Sequence, residues 1–451
     1  MRDIDSLPNI VWIMTDQQCA DHIGCLHGCS LHTPTMDHLV ESGIRFDQAY
    51  CGNPICVPSR TSMITGLHSH QTGITYNVDD AEFYGDSIGS LLKQGGYRTG
   101  YVGKWHIPRS TEDADWHGFD FMAESDRVFQ DEKVSEVCLA FLRQPSTKPY
   151  FLVASYNNPH DICEWARKLD GGFEGEAIDL WNGLILDPPS SRKCPDVPVN
   201  FSIEPHEPAI VRKHKRSMRG TYPSENWTEE RWRQYLWGYD RLVELVDREM
   251  AKLLEALSGV DNARRTVIIF TSDHGDGRAS HQWNQKTLHY EETAKVPLIL
   301  VDPELKASQV CSQLAQTATD VFATIADYAE VPLSDCHDGL SLRDLYLGEV
   351  DRDAIFSQTD LHSKYGQSDG VYGRMCRFRN YKYIVYSHGD AREQLFDLDL
   401  DPGEMNNLAF DSSSLRELYE ARQRMQNWCE RQRDFFLPYC VGLEEALPMN
   451  F

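Results

Sequence analysis

No apolar run in this 451-residue chain approaches the ~20 residues that a membrane-spanning helix needs, and no basic-plus-apolar leader precedes Pro8. A membrane partner is therefore not expected. The expected location is cytoplasmic, or periplasmic or secreted if a leader has been cleaved away. Basic residues are also short: 44 Lys and Arg stand against 69 Asp and Glu, a formal charge of −25. Polyanion binding relies on clustered cations, so a nucleic-acid partner is not expected. A small anion held by a few local cations is not excluded. Cysteine is plentiful, with 13 residues, but Cys-x₂-Cys pairs are missing and the number is odd. Neither a disulfide framework nor a zinc knuckle is expected, and most of the thiols read as reduced. The chain has no internal repeat and no low-complexity tract, which removes solenoids and disordered arrays.

What remains is an ordinary globular composition, 41% hydrophobic and 25% charged, long enough for a large core and a second, smaller unit. Residues 9–14 (Asn-Ile-Val-Trp-Ile-Met) form a short, continuously apolar run, the pattern of a strand buried on both faces of a parallel sheet. Similar runs end at Val102, Ala154, Phe270 and Val301. Between them, helices are expected from Thr33 to Gly43, from Ser87 to Leu92, over 134–142, over 227–257 and over 319–328. Residues 168–222, rich in Gly, Pro and charge, read as one long irregular insertion of the kind that serves as a lid or binding wall. After about residue 345 the rhythm changes to strands at 370–377, 381–386 and 394–397 followed by a helix over 415–433. The expected fold is α/β, a large mainly parallel (mixed) sheet flanked by helices over 1–345, with a smaller C-terminal α+β domain over 346–451 containing a short antiparallel sheet.

In open parallel sheets ligands bind beyond the carboxyl ends of the strands. Four predicted strands deliver reactive side chains to that edge: Asp16 and Gln17, Lys104 and His106, His160, and Asp273 with His274. Each alone reads as readily as a turn or cap residue. Their convergence is harder to attribute to chance. A fifth stretch, Cys56-Val57-Pro58-Ser59-Arg60, places Pro58 to start a helix over 59–65, with Cys56 just ahead of its N-terminus. Unpaired N–H groups there favour a thiolate, and Arg60 can reach back toward it. A cysteine-phosphatase loop would need its arginine six residues after the cysteine, where Ser62 stands. That chemistry is excluded.

Cys56-x-Pro58-Ser59-Arg60, Gly103-Lys104-Trp105-His106, Ser272-Asp273-His274-Gly275, Lys286 and the closing Leu395-Phe396-Asp397 together resemble the formylglycine-dependent (type I) sulfatases of the alkaline phosphatase superfamily. The likeness runs almost end to end. It implies that a formylglycine-generating maturation enzyme oxidises Cys56, and that the hydrated aldehyde attacks sulfur, releases the alcohol and then expels sulfate. It implies one divalent cation held by Asp16, Gln17, Asp273, His274 and residue 56, with Arg60 and Lys104 orienting the nucleophile and Lys286 neutralising the sulfate. His106 would take a proton when the diol collapses, and His160 would protonate the leaving oxygen. The chain departs from the usual pattern at Gln17 and His274, where the family commonly has Asp and Asn. Ca²⁺ is the expected ion, with Mn²⁺ or Mg²⁺ as alternatives. Asp21 and Asp276 read as a turn or cap.

The substrate implied is a sulfated carbohydrate or another sulfate monoester. Trp105, Asp161, Trp165, His281, Trp283 and His289 flank the motifs and are candidates for a sugar subsite, alongside Arg374 and Arg377 of the C-terminal unit. Two other readings stand beside this one: a phosphodiesterase or phosphonate monoester hydrolase on the same scaffold, and a non-catalytic binder of sulfated glycan. Retention of Cys56 and the acidic residues speaks against the binder.

Overall fold

A computed structural model describes residues 6–28, 30–125, 131–169, 188–219, 224–259, 264–361 and 370–442. In chain order its strands are β1 (Asn9–Asp16), β2 (Ile44–Phe46), β3 (Ala49–Tyr50), β4 (Arg98–Gly103), β5 (Phe121–Glu124), β6 (Tyr150–Pro159), β7 (Thr266–Ser272), β8 (Leu298–Val301), β9 (Gln309–Cys311), β10 (Ala315–Gln316), β11 (Ala354–Leu361), β12 (Val371–Phe378), β13 (Tyr381–Tyr386) and β14 (Glu393–Asp397). Eight of them form one sheet in the order β5-β4-β6-β1-β7-β8-β2-β9. From β5 through β7 every neighbour is parallel; β8 runs antiparallel to both β7 and β2.

The apolar runs are continuous because both faces of this sheet are covered. Along β1, Ile10, Trp12 and Met14 pack into one core with residues of the helices Cys56–Thr65, Ile88–Gln94 and Thr317–Tyr328. Val11 and Ile13 face a second core with Pro34–Ser42, Asp131–Leu142 and Glu229–Gly259. Alternate residues of one strand thus feed opposite layers, and no face is left for polar side chains.

A four-stranded antiparallel sheet, β11-β12-β13-β14, follows. One face (Cys376, Phe378, Tyr383, Leu395) packs on the helix Leu415–Gln432. The other (Met375, Ile384, Phe396) packs on Tyr50, Trp283, Leu288 and Tyr290 of the larger part, so the small sheet shares a core with the segments around β3 and between β7 and β8.

Three sequence readings need correction. The insertion 168–222 is not uniformly irregular: it contains the helix Ala209–Arg219, while residues 170–187 and 220–223 lie outside the described residues. Its buried stripe is Val211, His214, Lys215 and Met218, at helical spacing, but two of the four are polar and hide the period. Lys215 is tolerated there because it pairs with Glu207 and donates to the His281 carbonyl. The edge strand β11 escapes an apolar pattern because Ser357, Gln358, Thr359 and Asp360 are all buried with it. Finally, the helix carrying the cysteine begins two residues earlier than Pro58 suggests. Ile55 is its extended N-cap, and Cys56 is its first residue.

Candidate active site

The parallel neighbours β4, β6, β1 and β7 all point their carboxyl ends the same way, which brings Lys104, His160, Asp16 and Asp273 to one edge. The bend out of β4 depends on Gly103. Its φ is +103°, and a Cβ there would sit 1.9 Å from the Ser155 carbonyl oxygen. Asp131, at the start of its helix, accepts from the backbone N–H groups of Asn157 (2.6 Å) and Asn158 (2.9 Å), and so fixes the end of β6 ahead of His160. Ser59 Oγ donates to the Asp273 carbonyl at 2.6 Å, tying the Cys56 helix to the tip of β7.

Asp16, Cys56, Asp273 and His274 place donor atoms within 4.8 Å of one another, all buried. Cys56 Sγ lies 3.1 Å from His274 Nε2, 3.0 Å from Lys286 Nζ and 3.8 Å from Asp16 Oδ1. His274 Nδ1 sits 2.9 Å from the Gly275 carbonyl oxygen; donation there turns Nε2 toward the cluster. Arg60 bridges both carboxylates, with Nε 2.7 Å from Asp273 Oδ2 and a terminal nitrogen 3.0 Å from Asp16 Oδ2. Lys104 Nζ is 2.6 Å from Asp16 Oδ2. Lys286 Nζ also donates to Gln17 Oε1 at 2.8 Å.

Burial alone would push the Asp16 carboxyl up, but Lys104, His160, Arg60 and Lys286 overcome it and hold Asp16 well below the usual carboxylate range. Asp273 goes the other way, raised by burial and by the charge on Asp16. Burial and Asp16 oppose ionisation of the Cys56 thiol. Lys286, His274 and Lys104 prevail, so Cys56 is held well below an ordinary thiol, as a thiolate. His274 is raised by Asp273 and Cys56 against its burial. His160, facing Cys56, is pushed down to about 3 by burial and by Lys104 and Lys286, so it rests as a neutral imidazole. Its Nδ1 is buried without a hydrogen-bond partner, as is that of His106.

Lys104, His106 and His160 line an open cleft of about 600 Å³, with Asp79, Asp80, Arg109 and Glu124 also on its walls. Of the proposed sugar contacts, Trp105 lines this cleft but is only 2% exposed; its ring packs on Tyr101 and its Nε1 donates to the Arg109 carbonyl. The others are inside the protein. Asp161 accepts from Asn157 Nδ2, Trp165 packs against Tyr235, Trp283 donates to the Lys286 carbonyl, and His281 stacks on Tyr290. His289 is 1% exposed. Arg374 is buried against Asp434, and Arg377 is held by Tyr50 and Gln48. Bulk and polarity beside a motif did not separate a wall from a core.

Asp276 is more than a cap. It is fully buried and accepts from Gln17 Nε2 (2.7 Å) and Tyr235 OH (2.9 Å), orienting the amide whose oxygen meets Lys286. Its place three residues after Asp273 was the available signal. Ser155 and Tyr235 carry no local signal at all; only the sheet and the long helix Glu229–Gly259 bring them in.

A family profile for sulfatases matches residues 8–331, and a second, described as N-sulphoglucosamine sulphohydrolase, C-terminal, matches residues 279–431. Among curated proteins, a Delta 4,5-hexuronate-2-O-sulfatase of Bacteroides thetaiotaomicron is 30% identical over 454 residues, covering 95% of this chain and 90% of its own. Among solved structures, a 2-O GAG sulfatase superposes with a TM-score of 0.82 at 27% identity, over 98% of this chain and 95% of that one. A phosphonate monoester hydrolase of Agrobacterium radiobacter shares the fold, with a TM-score of 0.76 at 19% identity over 94% of this chain and 96% of that one. No helix among the described residues is long and apolar enough to cross a membrane. With a profile spanning most of its length and strand tips that converge on Cys56, this chain belongs to the sulfatase family and is a sulfuric ester hydrolase.

Proposed function

We propose that this sulfatase cleaves a sulfate ester on a carbohydrate, with a 2-O-sulfated hexuronate the first candidate, and that its nucleophile is residue 56 in the formylglycine form. The observation that carries the reading is the buried meeting of Cys56 with Asp16, Asp273 and His274, next to the Lys104 and His160 that line an open cleft. The sugar class rests on the hexuronate 2-O-sulfatase relative.

The donor set suits a divalent cation. Two buried carboxylates and an imidazole nitrogen converge on one point beside the Gln17 amide, a hard-oxygen and nitrogen donor set within reach of a single ion. Asp16, Asp273, His274 and the Gln17 amide oxygen would hold the ion. Calcium is the proposed ion, and manganese or magnesium are the alternatives. Once bound, it supplies Lewis-acid polarisation of the sulfate ester.

The remaining work falls to the chain. Arg60 fixes both carboxylates in one plane of approach, and Lys104 holds Asp16 from the cleft side. Lys286, 3.0 Å from Cys56 Sγ, offers its ammonium to the sulfate oxygens. His160 is neutral at rest, so it takes on a proton only as the anionic ester arrives, and delivers it to the departing sugar oxygen. His106, half exposed in the cleft with Nδ1 unpartnered, accepts the proton when residue 56 returns to the aldehyde.

The test uses protein made together with a formylglycine-generating enzyme. The peptide carrying residue 56 is weighed, and turnover is compared on an unsaturated 2-O-sulfated uronate disaccharide, 6-O-sulfated N-acetylglucosamine and a phenylphosphonate ester. Aldehyde at position 56 with turnover highest on the uronate is expected. Thiol at position 56 in fully active protein would refute the nucleophile, and faster phosphonate turnover would refute the substrate class.

A further inference from the structure

We propose that His281, Glu292 and Glu404 form a second cation site, structural in role and separate from the catalytic cluster, built for a first-row divalent ion such as Zn²⁺. His281 lies in the turn Ser280–Gln282, Glu292 in the short helix Glu291–Ala294, and Glu404 in the turn that follows β14. One donor atom from each lies within 4.8 Å of the other two.

Three observations point to a missing ligand there. His281 is completely buried, yet neither ring nitrogen has a hydrogen-bond partner; its face is taken by Tyr290, stacked at 3.9 Å, so only the ring edge is free. The Gly403 carbonyl lies near the ring without acceptable hydrogen-bond geometry. A buried imidazole left unpaired on both nitrogens is costly. Glu292 uses one oxygen to accept from Asn200 Nδ2 at 2.8 Å; the other has Ser280 near it without acceptable hydrogen-bond geometry, and among the described residues no Lys or Arg pairs with it. Glu404 takes the Glu291 N–H at 2.7 Å and sits 2.5 Å from Lys382 Nζ, which also serves Glu291 at 2.9 Å. Glu291 and Glu404 therefore share one buried ammonium, Glu291 is also reached by Arg377 through Tyr50, and Glu292 is left without a cation of its own. Lys295 reaches Glu291 only at 4.0 Å from the surface, and the neighbouring Lys215 is matched by Glu207.

A water molecule could meet the unpaired atoms but would leave the charge deficit. A divalent cation answers both. One imidazole nitrogen with carboxylate oxygens is a donor set that suits zinc and disfavours magnesium. Such an ion would tie the C-terminal four-stranded sheet, through Glu404, to the loop between β7 and β8.

The test uses the full chain, stripped with chelator, incubated with Zn²⁺ and dialysed, then measured for bound zinc and for melting temperature. The parent is expected to retain one more zinc equivalent than His281→Ala or Glu292→Gln, and to melt higher with zinc, while neither variant responds. Asp273→Asn, altered in the catalytic cluster, should keep that equivalent. Parent-level zinc and a parent-level melting response in Glu292→Gln would overturn the proposal. That substitution is isosteric and partly exposed, so it decides the matter alone should His281→Ala fail to fold.

Discussion

Arg60→Met tests how the catalytic cluster is held together. The Arg60 side chain is 1% exposed and donates to Asp273 Oδ2 at 2.7 Å, Asp16 Oδ2 at 3.0 Å, the Lys104 carbonyl at 3.0 Å and Ser155 Oγ at 2.9 Å. Methionine keeps most of the volume, so the cavity contribution is small. The Lys104 carbonyl still accepts from Tyr101 OH and Ser155 Oγ, so the neutral losses are small too. What is left is charge. Asp16 retains Lys104 at 2.6 Å, but Asp273 keeps the N–H groups of Gln17 and His274 and, among the described residues, no charged partner nearer than the His274 ring at 3.7 Å. Removing one member of a buried ion pair costs about 3–5 kcal/mol because the survivor is uncompensated. A cation bound between Asp16 and Asp273 would restore part of that. Urea unfolding of the parent and Arg60→Met, each in chelator and in excess calcium, should therefore show a gap of about 3–5 kcal/mol in chelator and a clearly smaller one in calcium. A gap of less than about 1 kcal/mol in chelator, the size of one neutral hydrogen bond, would refute the charge argument. The same gap in both conditions would refute the shared ion.

Cys56→Ser should bind sulfated sugar in calorimetric titration yet release no sulfate; turnover at the parent rate would remove residue 56 from the chemistry. His289 is buried and held well below its ordinary value by desolvation, Lys382 and Arg374, so the folded chain stays neutral there while the unfolded chain takes up a proton as pH falls. Between about pH 7.5 and about pH 5.5 the parent should lose about 1.4 kcal/mol of stability that His289→Gln does not, read from urea midpoints at the two pH values. Equal acid sensitivity in the two proteins would show that His289 is protonated in the fold.

The parts of this structure legible in the sequence are those where one physical signal dominates. Residues 10–14 read as a doubly covered strand because nothing in them is polar enough to face water, and the reactive residues at strand ends could be placed on one edge because parallel strands share a direction. Where two requirements compete, the signal is lost. The helix Ala209–Arg219 buries a lysine and a histidine against Glu207 and Thr287, so its apolar period is broken by the very residues that anchor it. Strand β11 buries a polar run for a similar reason. Its Gln358 meets His70 and Asp434, and Thr359 meets the carbonyl of Thr287, partners that only the folded chain supplies. Two of the flanking aromatics turn into the core on the same ground. Trp165 and Trp283 are large enough to be wanted by the core, and adjacency to a motif does not say which way a ring turns.

The charge balance of the cluster explains how a chain of formal charge −25 handles an anionic ester. In the unconverted protein, the cations of Arg60, Lys104 and Lys286 are met by Asp16, Asp273 and the Cys56 thiolate. Little positive potential is left over for the cleft. In the proposed mature form, the negative sulfur is replaced by an uncharged hydrate and a divalent ion is added. The same carboxylates are then outnumbered, and Lys286 is freed to face the substrate. In that proposed form, conversion of one side chain would do more than make a nucleophile: it would remove one negative charge from a balanced cluster, and with the added ion the sulfate would meet a positive field without any surface residue taking part.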